Sequence, residues 1–205
     1  MIDDWRELQA LLDQRYEPNE AETAPRAAVA AVFRQREGDG MADGPGGGSE
    51  LLFIQRATKP TDPWSGQMAF PGGREELADS SPRHTAARET AEEVGLDLSP
   101  ARFLGTLSEL DGGRANNRRI IVSAHAWWLP GPRPTLDLNH EVADVVWVPL
   151  RELANDARYI DYRYPLTGTT FPGIQLDHPD QVIWGLTLRL LADLFSRIDH
   201  PFVAL

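Results

Sequence analysis

Residues 72–96 read GGREELADSSPRHTAARETAEEVGL and carry the strongest structural signal in this chain. Ser81 suits the N-cap of a helix, and Pro82 suits its first position, where the missing N–H costs nothing. Gly95 suits the left-handed residue just past the end of a helix. The sequence therefore predicts a well-delimited helix between Ser81 and Gly95.

The end of this helix carries three glutamates at positions i, i+3 and i+4, namely Glu89, Glu92 and Glu93. Residues at that spacing share one face of a helix. The opposite, buried face is predicted to hold three small apolar residues, Ala87, Ala91 and Val94. Like charges at i, i+4 destabilise an isolated helix by roughly 0.2–0.5 kcal/mol, and a hard divalent cation would relieve the repulsion. The acids alone leave a solvated charged face open as the alternative.

The segment before the helix, AFPGG at 69–73, predicts a strand and a Gly-Gly turn that return backbone toward the acidic face. Joined to RETAEEVG at 88–95, it resembles the Nudix box, the signature of the Nudix hydrolases. Two departures stand out. Asp79 takes the place of a glutamate, with eight residues rather than seven before Arg88, and Thr90 replaces a bulky apolar residue. Asp79 is therefore left unassigned as a ligand.

The resemblance implies a metal-dependent diphosphohydrolase that uses Mg²⁺ or Mn²⁺, with Glu89, Glu92 and Glu93 as metal ligands and catalytic residues. It implies that Arg88 orients a box glutamate through an ion pair, whereas a surface helix ion pair is the alternative. Glu141 opens a predicted strand, EVADVVWVPL at 141–150, and resembles the further catalytic or metal-binding glutamate that the family carries before this strand; the alternative is an ordinary loop glutamate. Which acid acts as the general base stays open.

Three other segments resemble the coenzyme A pyrophosphatase branch of the family. They are LFIQR at 52–56 followed by GQMAFPGG at 66–73, YRY at 162–164, and IWGLT at 183–187. Met68 replaces a valine of that pattern, and the intervening loop is about one residue longer. The substrate-binding residues predicted from these segments are Arg56, Trp64, Gly72, Gly73 and Arg74.

Coenzyme A carries a 3′-phosphate away from its diphosphate, so its recognition calls for basic side chains away from the metal. The candidates are Arg56, Lys59, Arg74, Arg118 and Arg119, each with a solvated charge as the alternative. Trp64 either stacks on adenine or anchors its loop. NADH, ADP-ribose or a nucleotide sugar is the second expected substrate class, and a non-catalytic Nudix nucleotide-binding module is the competing kind of protein.

The composition of the chain argues against several classes of protein. The net charge of −11 argues against coating nucleic acid, and the absence of cysteine excludes disulfides and thiolate chemistry. No apolar run approaches the roughly 18 residues that span a bilayer, and the acidic start lacks a secretory n-region. We expect a cytoplasmic protein whose partner is a small-molecule nucleotide diphosphate, with neither nucleic acid nor membrane as a partner and a homodimer as one option.

Length and hydrophobic patterning predict one domain over residues 1–205, with an N-terminal helix (2–15) and a linker up to residue 25. The resemblance to the Nudix family covers roughly residues 26–198 and implies a Nudix core there. Strands are predicted at 27–33, 51–56, 66–73, 103–110, 120–129 and 141–149, with a turn at 112–119. Helices are predicted at 150–157 and 179–198, and a loop at 38–49. Strands in hairpins mixed with helices indicate an α/β fold with a mixed (α+β) sheet, consistent with the Nudix-type α/β/α sandwich that the resemblance implies.

Overall fold

The computed structural model describes residues 5–12, 24, 26–36, 48–59, 64–115 and 118–197. Its large sheet contains seven strands within these residues. They are β1 (Arg26–Gln35), β2 (Ser49–Arg56), β3 (Met68–Ala69), β4 (Gly72–Arg74), β5 (Arg102–Ala115), β6 (Arg118–Leu129) and β7 (Val142–Pro149). The main path runs β3-β2-β1-β6-β5, while β4 pairs with β1 and β7 with β2. Only β1 and β6 pair in parallel among the described strands, so the sheet is mixed.

Alternating residues of the central strands enter two hydrophobic cores, one on each face of the sheet. On one face, Ala28, Ala30 and Val32 of β1 pack with Ala86 and Val94 of helix α2 (Pro82–Val94). On the other face, the described helices are α1 (Trp5–Leu12), α3 (Leu150–Leu153) and α4 (Gly185–Arg197), which contribute their leucines to the second core. The α/β class and the layered arrangement predicted from the sequence are confirmed.

A second sheet of three strands extends the fold after α3. Its strands are β8 (Tyr159–Arg163), β9 (Thr170–Gln175) and β10 (Val182–Trp184), in the order β10-β9-β8. The helix predicted at 179–198 is therefore wrong in its first part, because Val182–Trp184 pair with β9. Gly185, the first residue of α4, has a φ of 61° and marks the change from strand to helix. Strands β8 and β9 were not predicted.

Smaller differences concern the ends of elements. The helix predicted at 150–157 ends at Leu153, and the 3₁₀ turn Asp156–Arg158 follows, with the Asn155 side chain accepting from the Ala157 N–H. The turn predicted at 112–119 is shorter, because β5 continues to Ala115 and β6 begins at Arg118. The predicted N-terminal helix is present as α1. Residues 2–4, 13–23, 25, most of the 38–49 loop and 198 lie outside the described residues.

The buried face of α2 differs from the predicted one. Thr90 is buried, while Ala91 is exposed and Ala87 only partly buried. The Thr90 hydroxyl donates to the Ala86 carbonyl at 2.7 Å, so its polar group is satisfied within the helix. Glu93 is buried on the same side of the helix. None of the described helices is long and apolar enough to cross a membrane.

Candidate active site

Helix α2 begins and ends where the sequence predicts. The Ser81 side chain accepts from the His84 N–H at 3.2 Å, and Pro82 occupies the first turn. Gly95 adopts the left-handed conformation (φ 68°), and its N–H donates to the Ala91 carbonyl at 3.0 Å. These caps fix which residues of the last two turns face the sheet.

Strand β4 lies so close to β1 on one side and to α2 on the other that two glycines are required. A Cβ on Gly72 would lie 2.3 Å from the Ala28 carbonyl oxygen, and a Cβ on Gly73 would lie 2.4 Å from Cδ of Glu89. The Gly72 N–H donates to the buried Glu93 carboxylate at 2.8 Å. The Gly-Gly turn thus positions both glutamates, as the predicted approach of backbone to the acidic helix requires.

Asp79 is the anchor of Arg88. Its carboxylate is buried and accepts from Nε and Nη2 of Arg88 at 3.0 and 2.9 Å, from the Thr85 hydroxyl at 2.9 Å, and from the Glu76 N–H at 2.9 Å. These bonds, chiefly from Arg88, hold the pKa of Asp79 well below its usual range. The carboxylate of Asp79 therefore holds Arg88 in place. The sequence alone left Asp79 unassigned.

Arg88 extends from Asp79 to the box glutamates. Its Nη1 lies 3.0 Å from Oε1 of Glu89 and 3.1 Å from Oε2 of Glu92, and its Nη2 donates to the Arg74 carbonyl. The hydrogen bonds with Asp79 raise the pKa of Arg88 above its usual value. Arg88 therefore occupies a position from which it can orient Glu89, as the family resemblance implies.

Glu141 reaches the site from the segment that precedes β7. The Asn139 N–H donates to the Glu93 carbonyl at 2.9 Å, which ties this segment to the end of α2. The Glu141 N–H donates to the Asn139 side chain at 2.7 Å, and Nζ of Lys59 donates to the Glu141 carboxylate at 2.7 Å. The Lys59 hydrogen bond lowers the pKa of Glu141. Loop geometry thus brings a distant acid beside the helix.

One cavity of about 320 Å³ collects most of the predicted site residues. It is lined by the acids Glu89, Glu93 and Glu141 and by all five predicted substrate-binding residues, Arg56, Trp64, Gly72, Gly73 and Arg74. Glu92 and Arg88 do not line it; the Glu92 side chain is 55% exposed. Of the other 3′-phosphate candidates, Lys59 pairs with Glu141 and Arg119 pairs with Asp111, while the Arg118 side chain lies outside the described residues.

The acids in the cavity affect one another's pKa values. Burial raises the pKa of Glu93 to about 7; the Gly72 N–H and Arg56 oppose the shift, and the charges of Glu89 and Glu141 add to it. Burial also raises the pKa of Glu89, against the opposing effect of Arg88. Arg56 Nη1 lies 4.0 Å from Oε1 of Glu93, so each acid in the cavity has a basic neighbour.

The donor set fits a hard divalent cation, because carboxylate oxygens are its preferred ligands and these carboxylates repel one another. In the described part of the chain, no three Asp, Glu or His side chains already lie close enough together to hold a metal ion. The carboxylates are instead held by Arg88, Lys59 and the Gly72 N–H. A cation bound here would share the carboxylate oxygens with these partners or displace them.

Sequence reasoning missed the apolar part of the cavity. Besides the polar residues and Met68, Ala69 and Phe70, it is lined by six aliphatic residues of β1, β6 and α4: Ala27, Val29, Ile120, Val122, Leu186 and Leu190. In the sequence, each of them fits the pattern of an ordinary core residue of its own strand or helix. The parallel pairing of β1 with β6, which places Ala27 beside Val122, has no local signal in the sequence.

Comparisons with known proteins relate the chain to one family. The NUDIX domain profile matches residues 24–167. An uncharacterized Nudix hydrolase NudL from Yersinia pestis is 31% identical over 148 residues, which cover 72% of each chain. An uncharacterized protein, C14C4.10c, from Schizosaccharomyces pombe is 42% identical over 108 residues, 50% of this chain but only 32% of that protein.

A solved structure supports the same fold. A MutT/nudix family protein from Enterococcus faecalis superposes with a TM-score of 0.58 at 16% identity, covering 95% of this chain and 69% of that one. At that identity the likeness concerns the fold alone. The matching profile and the NudL relative, joined to the box helix described above, show that the chain belongs to the Nudix hydrolase family.

Proposed function

We propose that this chain hydrolyses the diphosphate of coenzyme A or its derivatives. The observation that carries the proposal is the single cavity in which Glu89, Glu93 and Glu141 face the same space as Arg56 and Arg74. Carboxylates are suited to a divalent cation, and guanidinium groups are suited to phosphate. The resemblance of segments 52–56 and 66–73 to the coenzyme A pyrophosphatase branch favours this substrate over other diphosphates.

Nudix hydrolases generally use divalent metal ions, and we assign Mg²⁺ or Mn²⁺ to this one. Glu89 and Glu93 would hold the ion, with Glu92 as the third ligand implied by the resemblance. When bound, such an ion lowers the pKa of a water molecule and neutralises charge on the phosphates. Arg88, fixed by Asp79, keeps the Glu89 carboxylate in place.

The protein groups define the rest of the reaction. Arg56 and Arg74 bind phosphate oxygens, and Glu141, whose pKa is lowered, is ionised at neutral pH and can take a proton from the attacking water. The water oxygen forms a bond to one phosphorus as the bond from that phosphorus to the bridging oxygen breaks. Coenzyme A would yield phosphopantetheine and adenosine 3′,5′-bisphosphate, and the proton passes from Glu141 to solvent.

The direct test is a product assay of the purified protein with coenzyme A, dephospho-coenzyme A, NADH and ADP-ribose, with Mg²⁺ or Mn²⁺ and with excess chelator. We expect both coenzyme A products, no turnover in chelator, and a kcat/KM about tenfold lower for dephospho-coenzyme A, because a charge-assisted contact is worth roughly 1.5–3 kcal/mol. Arg56→Ala should narrow that gap if Arg56 makes the 3′-phosphate contact and should leave it unchanged if Arg56 binds only the diphosphate; the control Arg119→Ala, outside the cavity, should not narrow it.

The alternatives give different results. Much faster cleavage of NADH or ADP-ribose would favour the second substrate class. Tight binding of these compounds without any product would indicate a non-catalytic nucleotide-binding module. Full activity in excess chelator would contradict the metal requirement.

A further inference from the structure

We infer that Lys59 is a positioning residue, which holds the Glu141 carboxylate by one oxygen and leaves the other oxygen to the attacking water. The inference rests on the proposed function, in which Glu141 takes a proton from that water. It adds to the site a residue of the loop after β2, and it holds for any diphosphate that is cleaved in the cavity.

Lys59 approaches Glu141 from outside the cavity. Nζ of Lys59 donates to Oε1 of Glu141 at 2.7 Å, yet only Glu141 of the two residues lines the cavity. Nε2 of His140 lies 3.9 Å from the same Oε1. Within the described part of the chain, the hydrogen bonds and ion pairs of this carboxylate all go to Oε1. Oε2 is therefore the oxygen that is left to accept a proton from water.

The main chain is fixed on both sides of this contact. The Ala57 N–H donates to the Glu141 carbonyl at 2.7 Å, and the Lys59 N–H donates to the Ser65 hydroxyl at 2.7 Å. The Glu141 N–H donates to the Asn139 side chain at 2.7 Å. Because both main chains are held, the hydrogen bond from Lys59 restricts the torsions that remain in the Glu141 side chain.

The exposure of the pair argues for a role in the reaction rather than in stability. The side chains of Lys59 and Glu141 are 38% and 39% exposed. An ion pair at such exposure adds little to stability, because water screens the charges and ordering two long side chains costs entropy. A misplaced reacting group, by contrast, can lower a rate by about 100-fold. The contact therefore matters more for the direction of the Glu141 carboxylate than for the fold.

The chemistry of lysine suits this role. The chain has 20 lysine and arginine residues, and Lys59 is its only lysine. A guanidinium group is a planar fork that engages both oxygens of a carboxylate, whereas an ammonium group is a compact charge on a flexible stem. An ammonium group on Oε1 therefore leaves Oε2 of Glu141 available.

A direct contact of Lys59 with a substrate phosphate is the competing role, and it has a different kinetic signature. Lys59 would have to leave Glu141 to make that contact. Its removal would then weaken substrate binding and raise KM, whether or not Glu141 keeps its carboxylate. A positioning residue acts only through Glu141, so its removal lowers kcat and has no further effect once that carboxylate is gone.

The test is a double-mutant cycle of Lys59→Ala and Glu141→Gln, with kcat and KM measured for coenzyme A and for ADP-ribose in the presence of Mg²⁺. We expect kcat to fall by about tenfold in Lys59→Ala, with KM within about twofold of wild type. Glu141→Gln should lose about 100-fold in kcat, as for removal of a general base. The double variant should lie within about twofold of Glu141→Gln, because the two residues act as one unit.

Two controls separate this role from a structural one. Arg119→Ala removes another exposed ion pair of 2.7 Å, with Asp111 outside the cavity, and should keep the wild-type kcat. Added ethylammonium should restore part of the kcat of Lys59→Ala but not of the double variant, whereas tetramethylammonium, which has no N–H, should restore none. The midpoint of thermal unfolding should change by less than about 4 °C in Lys59→Ala.

The other outcomes are decisive in the opposite direction. An unchanged kcat in Lys59→Ala, a raised KM alone, or a full further loss of about tenfold in the double variant would overturn the positioning role while diphosphate hydrolysis stands. A Glu141→Gln variant as active as the wild type would remove Glu141 as the proton acceptor and the role of Lys59 with it. A wild type that cleaves ADP-ribose alone would overturn the coenzyme A assignment, and the cycle with ADP-ribose would still decide the role of Lys59. A wild type that cleaves neither compound would overturn the proposed function and this inference together.

Discussion

Glu93 shows how a single residue links the fold to the proposed chemistry. Its side chain is 2% exposed, and a carboxylate removed from water is costly unless it is bonded or paired. The Gly72 N–H and the more distant Arg56 provide partial compensation, and the pKa of Glu93 still rises to about 7. A protein keeps such a group when its charge is used, which is why we assign Glu93 to the cation.

Replacing Glu93 by glutamine should therefore lower kcat by at least about 100-fold, the scale of losing a main electrostatic stabiliser. The shape is kept, so folding should be intact. Glu92→Gln should also reduce kcat, because the resemblance makes Glu92 a ligand. Glu75→Gln, an exposed control outside the cavity, should not. Steady-state rates with Mg²⁺ decide the matter, and a Glu93→Gln variant within a few-fold of wild type would contradict the ligand set.

His125 provides a prediction about stability rather than catalysis. It is buried on β6, 3.1 Å from the Thr106 hydroxyl and 3.0 Å from the Ser123 hydroxyl. Burial, with smaller effects from Arg83 of α2 and Arg26 of β1, lowers its pKa from 6.5 to about 4. Below pH 6.5 the unfolded chain binds a proton that the folded chain does not, so stability falls between about pH 6.5 and pH 4.

The difference in pKa corresponds to roughly 3 kcal/mol of unfolding free energy over that range. His125→Gln cannot titrate and can still bond the neighbouring hydroxyls. Urea unfolding from pH 7 to pH 4.5 should therefore show a shallower loss in the variant than in the wild type. Carboxylates titrate in both proteins and cancel in the comparison. Parallel stability curves would contradict a buried neutral imidazole.

Elements with strong local signals were predictable, and elements that depend on distant partners were not. Ser81, Pro82 and Gly95 mark the ends of α2 because capping is decided within one turn. Val182–Trp184 fit a helical pattern equally well, and only pairing with β9 makes them a strand. A short apolar run cannot be assigned by periodicity alone.

The same distinction holds for the site. Arg56, Trp64, Gly72, Gly73 and Arg74 were identified because they lie in or beside one continuous motif, and all of them line the cavity. The aliphatic lining of the cavity comes from β1, β6 and α4, so no single segment of the sequence reveals it. The burial of Thr90 was also missed, because its hydroxyl is satisfied by a carbonyl that any helix provides.

Strand β4 provides a prediction about how one strand positions an acid of the helix. Gly73→Ala would place a methyl group against the Glu89 carboxyl group, whose Cδ, Oε1 and Oε2 would lie 2.4, 2.5 and 2.7 Å from the new Cβ. Glu89 must move, so kcat should fall by more than about tenfold, as misplacement of a positioned group implies. Ala78→Gly in the exposed loop is a control for the backbone change. Unaltered kcat in Gly73→Ala would show that the position of Glu89 is unimportant.

At the scale of the whole molecule, β1 connects the cavity at its start with a buried ion pair at its end. Its first half pairs with Gly72–Arg74 and borders the cavity, whereas its last residues pair with the start of β2. At that second end, Arg34 and Glu50 are buried as an ion pair, and Nη2 of Arg133 lies 2.7 Å from Glu50. The arrangement is separate from the cavity residues, so stability and activity should be separable by mutation.

Glu50→Ala should destabilise the protein by about 3–5 kcal/mol, because it removes one member of a buried ion pair. Asp111→Ala breaks the exposed pair with Arg119, in which both side chains are about half exposed, and should cost under about 1 kcal/mol. Urea unfolding measures both losses, and kcat/KM at a temperature where both variants are folded should be unchanged. Equal losses would show that the buried pair contributes no more than a surface pair, and a fall in kcat/KM for Glu50→Ala alone would show that the two ends of β1 are coupled.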